Sequence, residues 1–202
     1  RITQLSNPAV FDPCRSERAF RIACTDYEIT TLLVPLVQQL RESAPGVSLH
    51  LLNGGDLGVG GLENKVAELA LLSPEGTFLW AKRKLLLRES FLTLLPKSAL
   101  PLTKDRYLNL HHVVLATGEP EPNPVDAGLS QHQRHIAYRA RSFASAIELA
   151  CAAHWAFNVP ARLIERVQLP QHMCVVKPVI DVPDFEVAMY WHTQTDKDPG
   201  LQ

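Results

Sequence analysis

Two places in this chain combine polar side chains with a helix start, and both could bind an anion. Thr25 and Asp26 follow the run Phe20-Arg21-Ile22-Ala23-Cys24, and Ser142 and Phe143 follow a run that ends at Arg141. Thr, Asp and Ser just ahead of a helical pattern are N-cap residues. The turn behind them carries free N–H groups at the positive end of the helix dipole. If both starts face one cleft, they can hold a carboxylate or phenolate from opposite sides. Ordinary helix capping accounts for the same residues and is the commoner use of them. A third candidate is Asn53-Gly54-Gly55-Asp56. It could bring backbone close to a ligand, since glycine lacks a Cβ, or it could be only a strand-to-helix turn.

Other chemistries find less support. Among the eight histidines, His111-His112 and His132-x-x-His135 come closest to metal spacing. Neither pair has a neighbouring cysteine or carboxylate cluster, so both read as surface decoration and no metal is expected. There is no G-x-S-x-G elbow, no H-E-x-x-H, no P-loop and no evident nucleophile–base pair, so an enzyme is unsupported and no cofactor is expected. Asn53 to Asp56 lacks the G-x-G-x-x-G spacing of a dinucleotide site. Cys14, Cys24, Cys151 and Cys174 are scattered without a C-x-x-C pair and read as buried free thiols of a reducing cytoplasm. Trp155, Phe157, Tyr190 and Trp191 are core by default, whereas Phe143, beside the second helix start, is assigned to a pocket.

The elements that must position these residues alternate. Phe20 to Cys24 is a strand. Ile29, Leu32, Leu33, Leu36, Val37 and Leu40 then line one face of a helix, with Pro35 kinking or tightening its early turns. Val47 to Leu52 is a second strand, Leu57 to Lys65 a helix weakened by three glycines, and Ala67 to Leu72 a third strand. Lys84 to Leu95 is one long β-like stretch. A short helix over 105–110, a strand over 112–116, an exposed loop over 119–124, a strand over 135–141 and a helix over 143–156 follow. Pro160 opens another short helix, and strands over 173–179 and 185–192 precede a polar tail. Strands alternating with helices imply parallel β-α-β units with right-handed crossovers. The result is two α/β lobes, residues 1–88 with 177–202 and residues 89–176, joined by two crossing strands around a cleft.

Composition narrows the partners. The chain has 202 residues, 46% of them hydrophobic, with 20 Lys plus Arg against 21 Asp plus Glu. That apolar fraction supports a packed core, and a formal net charge of -1 gives no basic field for nucleic acid. No apolar run approaches the roughly 20 residues that span a bilayer, so no membrane partner is expected.

The stretch Phe11-Asp12-Pro13, Ser16-x-Arg18-x-Phe20-Arg21-Ile22-Ala23-x-Thr25-Asp26-Tyr27-Glu28 resembles the opening of the effector-binding domain of LysR-type transcriptional regulators. It is closest to the branch that senses aromatic acids, flavonoids and related compounds. Ala44-Pro45-Gly46-Val47, Leu62 to Ala70 with an acidic residue before the third strand, Ser142-Phe143, and Met189-x-Trp191-His192 with Asp198-Pro199 fit the same pattern in order. The glycine usual near Lys65 is replaced by the earlier pair Gly60-Gly61. The resemblance implies a fold like type II periplasmic binding proteins and a small aromatic or carboxylated effector in the interlobe cleft. It carries Thr25 and Asp26 over to one wall, Ser142 and Phe143 to the other, and His112 to a pocket-lining strand. It further implies a cytoplasmic homodimer or homotetramer, with RNA polymerase as a further partner. DNA would be met only through a winged helix-turn-helix N-terminal to Arg1. An extracytoplasmic solute-binding protein of the same fold is the alternative.

Overall fold

The computed structural model describes residues 11–73, 76–116, 125, 129 and 133–202. The expected loop over 119–124, His132 and the residues before Phe11 lie outside these. Among the described residues ten strands form: β1 (Ala19–Cys24), β2 (Ser48–Asn53), β3 (Leu69–Leu72), β4 (Ala81–Glu89), β5 (Phe91–Pro96), β6 (His111–Leu115), β7 (His135–Ala140), β8 (Phe157–Pro160), β9 (Met173–Val176) and β10 (Phe185–His192).

The first sheet has the order β2-β1-β3-β10-β4. β1 pairs in parallel with both β2 and β3, and β10 runs antiparallel to β3 and β4. Its two faces follow from strict alternation along the strands. Ala23, Ala70, Leu72, Ala188 and Tyr190 pack on one side with Val59 and Leu62. Ile22, Cys24 and Leu71 pack on the other with Leu33 from the following helix. Burial on both faces is why the strand runs read as almost continuously apolar.

Elsewhere β5 sits between β8 and β9 in an antiparallel sheet, and β6 pairs in parallel with β7. A single parallel bridge, His112 to Ala156, joins β6 to the strand edge leading into β8. The extended order is therefore β7-β6-β8-β5-β9, with a parallel part beside an antiparallel part as in the first sheet.

The expected stretch over 84–95 is two strands. β4 ends at Glu89 in the first sheet, Ser90 breaks the run, and β5 begins in another sheet at Phe91. The helix after β1 is built from Asp26–Glu28, a wide π-type turn Ile29–Leu33, and Val34–Ser43. Pro35 explains the wide turn. It lacks an N–H and crowds the carbonyl four residues back, and the Val34 N–H reaches Ile29 five residues back instead. The weak helix predicted over 57–65 is two single turns, Gly54–Leu57 and Gly60–Glu63. They are divided at Gly58, whose φ of 53° suits glycine. The helix Phe143–Ala153 stops earlier than expected, at a left-handed His154.

The polar tail is anchored. Arg18 donates to Asp198 at 2.7 Å and to Glu68 at 2.9 Å, and Glu68 also accepts the Arg21 N–H at 2.9 Å. Burial would raise the Glu68 carboxyl, but the Arg21 N–H and the Arg18 guanidinium outweigh it and hold it below the usual range. All four cysteines are free thiols, and Cys14 is exposed. Burial pushes the Cys24 thiol up to about 11, which keeps it protonated and unreactive.

Candidate functional site

The helix start after β1 is closed on itself. Thr25 is extended, and its hydroxyl oxygen accepts the Tyr27 N–H at 3.3 Å. The Glu28 carboxylate accepts both the Thr25 N–H at 2.8 Å and the Thr25 hydroxyl at 2.5 Å, completing a capping box. Glu28 is only 4% exposed. Burial raises its carboxyl above the usual range, and the two bonds from Thr25 only partly offset this.

The start after β7 is built differently. The Ser142 hydroxyl accepts the Ser145 N–H at 3.2 Å, an ordinary cap. The Ala144 N–H, however, is taken by Asp26 Oδ2 at 2.8 Å, a carboxylate that reaches over from the first helix start. The two starts thus face each other, and the anion between them is one of the protein's own side chains. The third start is also self-capped: Asn53 Oδ1 accepts the Gly55 N–H at 3.1 Å and its amide donates to Asp56 at 2.7 Å.

Around these three caps lies a cleft of about 380 Å³. Its volume falls in the range of small-molecule sites, about 300–1,000 Å³. Thr25, Asp26, Asn53 and Ser142 line it, as the ends of β1, β2 and β7 converge on one opening. Ligands of open α/β sheets bind at such carboxyl ends. The other three candidates lie elsewhere. Gly54 is buried against β1, where an added Cβ would meet the Cys24 backbone at 2.8 Å, and Gly55 faces the cleft instead. His112 is fully buried, with Nε2 on the Tyr107 carbonyl at 2.8 Å and its ring edge-on to Tyr107. Phe143 turns its ring into the core between Tyr27, at 6.0 Å, and Phe157, at 6.3 Å.

The cleft also contains Asp56 of the third candidate and residues that sequence reasoning did not single out: Arg141, Ile29, Leu51, Leu115 and Ala116. Leu115 and Ala116 end β6 much as Cys24 and Thr25 end β1. Arg141 is a cation without an ion-pair partner among the described residues, and its position directly before the Ser142 cap was the available signal.

Behind the cleft, Glu89 anchors the crossing between sheets. It is 3% exposed and accepts the Tyr27 hydroxyl at 2.5 Å, the Ser90 N–H at 2.9 Å and the Arg162 N–H at 3.3 Å. The Arg162 guanidinium adds an ion pair at 3.7 Å. Burial, together with the Glu89 contact, pushes the Tyr27 phenol well above its ordinary value, so Tyr27 stays a donor.

Comparison with known proteins gives one consistent answer. Residues 15–202 match the LysR substrate binding domain. The HTH-type transcriptional activator NagR of a Ralstonia species is 26% identical over 98% of this chain and 68% of its own length. The HTH-type transcriptional regulator LinR of Sphingobium indicum is 29% identical over 94% of this chain and 65% of its own. The chain therefore spans about two thirds of the length of these relatives. The regulatory domain of MexT from Pseudomonas aeruginosa superposes with a TM-score of 0.75 at 21% identity, covering 92% of this chain and 94% of that one. The fold is that of type II periplasmic binding proteins, and the chain belongs to the LysR substrate binding domain family.

Proposed function

We propose that the cleft is the effector site of this ligand-sensing domain, and that its effector is a small aromatic compound carrying a carboxylate or phenolate. Family membership supports the sensing role, and the named relatives, being regulators, do not favour a solute-binding protein of the same fold. The observation that carries the ligand class is the Asp26–Ala144 hydrogen bond beside Arg141. An anion already satisfies the second helix start, and a guanidinium without an ion pair among the described residues belongs to the residue just before its cap. A ligand carboxylate would take the Ala144 N–H and pair with Arg141, displacing Asp26. Leu51, Leu115 and Ile29 would cover an aromatic ring.

Breaking the Asp26 bond changes the contacts between residues 1–88 with 177–202 and residues 89–176, the two lobes of this reading. A ligand shifts a two-state arrangement only by its differential affinity, and this exchange of anions supplies one. In the full-length regulator the shift would pass through a homodimer or homotetramer to DNA-binding domains, in the cytoplasm, with RNA polymerase as a further partner. Catalysis has no part in it.

A thermal-shift screen with aromatic carboxylates, flavonoids and aliphatic acids should give positive shifts for the aromatic carboxylates. Calorimetry with the best of them should show Arg141→Ala weakening binding at least about tenfold, the order expected when a charged hydrogen bond is lost. Equal affinity in Arg141→Ala, at unchanged folding, would remove this ligand class.

A further inference from the structure

Away from the cleft, β6 and β7 begin with a cross-strand histidine pair. His111 and His135 are register partners at the N-terminal ends of these parallel strands, whose C-terminal ends lead to Ala116 and Arg141 in the cleft. Both side chains are exposed. Their Nδ1 atoms are in direct contact, and the rings meet edge to face with centroids 4.3 Å apart. The Trp155 ring stands 6.4 Å from His111.

Neighbouring strands hold backbones about 4.8 Å apart, and imidazole nitrogens bind a tetrahedral zinc ion at about 2.0–2.1 Å. Two such nitrogens on one ion lie roughly 3.3 Å from each other. The site requires both exposed rings to rotate until their nitrogens reach that spacing. We propose that His111 and His135 form a two-histidine site for a late first-row divalent ion such as Zn²⁺ or Ni²⁺.

Imidazole favours these ions over Mg²⁺ or Ca²⁺, which demand oxygen ligands. Among the described residues no group of three or more His, Cys, Asp or Glu converges, so solvent would complete the coordination. The second histidine pair sharpens the contrast. His154 and His172 are stacked at an interplanar angle of 14°, and His172 Nε2 is hydrogen-bonded to the Cys151 carbonyl at 3.0 Å. That pair presents ring faces to each other, whereas His111 and His135 present nitrogens. An N–H···N hydrogen bond alone is the competing explanation of their contact.

The test is titration of the 202-residue chain, free of any polyhistidine tag and stripped with EDTA, with NiCl₂ and then ZnCl₂ in a calorimeter. One equivalent should bind. His111→Ala and His135→Ala should each weaken binding by more than about a hundredfold, beyond the roughly 10–100-fold usual for losing only a supporting contact. His154→Ala should leave affinity unchanged. Metal should raise the melting temperature of the parent chain and not of the two variants, because a ligand stabilises only the fold that binds it. Quenching of Trp155 emission by Ni²⁺ should saturate at the same stoichiometry and disappear in the same variants. Affinity that survives both substitutions, or no binding to the parent chain, overturns the site and leaves the pair joined by a shared proton only.

Discussion

The helix starts at Thr25 and Ser142 place the same kind of hydroxyl cap at the mouth of one cleft, yet they meet their exposed N–H groups in different ways. The Thr25 start is served from within by Glu28, which is buried and takes two hydrogen bonds from Thr25. The Ser142 start is served partly from outside, by Asp26 on the opposite wall. The first wall therefore keeps its bonds however the walls move. In the proposed reading the second loses one when they part, and so can report their relative position. A sensor needs this asymmetry: one fixed wall, and one whose satisfaction depends on closure or on a substitute anion.

The largest test of the fixed wall is Tyr27→Ala. Tyr27 lies beneath that start, with rings of Phe143 at 6.0 Å and Phe185 at 5.6 Å, and its hydroxyl serves buried Glu89. Removing a buried aromatic costs about 3–5 kcal/mol, and a deserted buried carboxylate adds to that. Urea unfolding should show a loss of this size. A loss under about 0.5 kcal/mol, within the range of a surface change, would mean the wall is held elsewhere. Ser142→Ala should cost less, about 1 kcal/mol for a lost N-cap.

Glu28→Gln tests the same wall through pH. The Glu28 carboxyl is raised in the fold by burial. A raised carboxyl gives stability that is complete below the unfolded value and is lost as pH rises through the folded value. The parent chain should therefore lose stability on this account as pH climbs from the ordinary glutamate range, near 4.5, to the raised value. Glutamine still offers an oxygen to Thr25 but carries no charge. Melting curves at stepped pH should show that this component of the decline is absent in the variant. An identical profile in both proteins would show that Glu28 is not the group responsible.

Much of this arrangement is legible in the sequence where it depends on neighbours along the chain. Thr25 and Ser142 read as caps because a cap's partners lie two or three residues away, whereas Asn53, read only as a turn or a close approach, is a cap as well. Glu68 lay within the stretch Leu62 to Ala70 of the family pattern, and its ion pair with Arg18 joins that stretch to β1's approach. The break at Ser90 was invisible, because the leucine run at the end of β4 and the run Phe91 to Leu95 of β5 both read as strand, and periodicity cannot show a change of sheet. His112 lies near the start of β6, away from the end that reaches the cleft, and Phe143 turns its ring to the core rather than the opening. A strand run read from sequence does not say which of its ends meets a ligand, and a helical side chain leans back over the preceding turn. The Asp26–Ala144 bond joins residues 118 apart, and the His111–His135 contact joins residues 24 apart. No local spacing encodes either.

The smallest expected effect separates the two walls most cleanly. Asp26→Asn keeps an oxygen that can accept the Ala144 N–H but removes the charge from the end of the second helix. A surface charge at a helix N-terminus is worth about 0.3–1 kcal/mol, and salt screens it. The variant should lose a few tenths of a kcal/mol at low salt, and the gap to the parent chain should close near 1 M, where screening acts within about 3 Å. The Ser142→Ala deficit, which comes from a neutral hydrogen bond, should not change with salt. Toward ligands the sign reverses: with the competing carboxylate gone, an aromatic carboxylate should bind Asp26→Asn more tightly than the parent chain, while a neutral analogue should bind both alike. Tighter binding of both compounds would mean that Asp26 obstructs the cleft by bulk. Tighter binding of the anion alone would mean that the second wall exchanges one carboxylate for another.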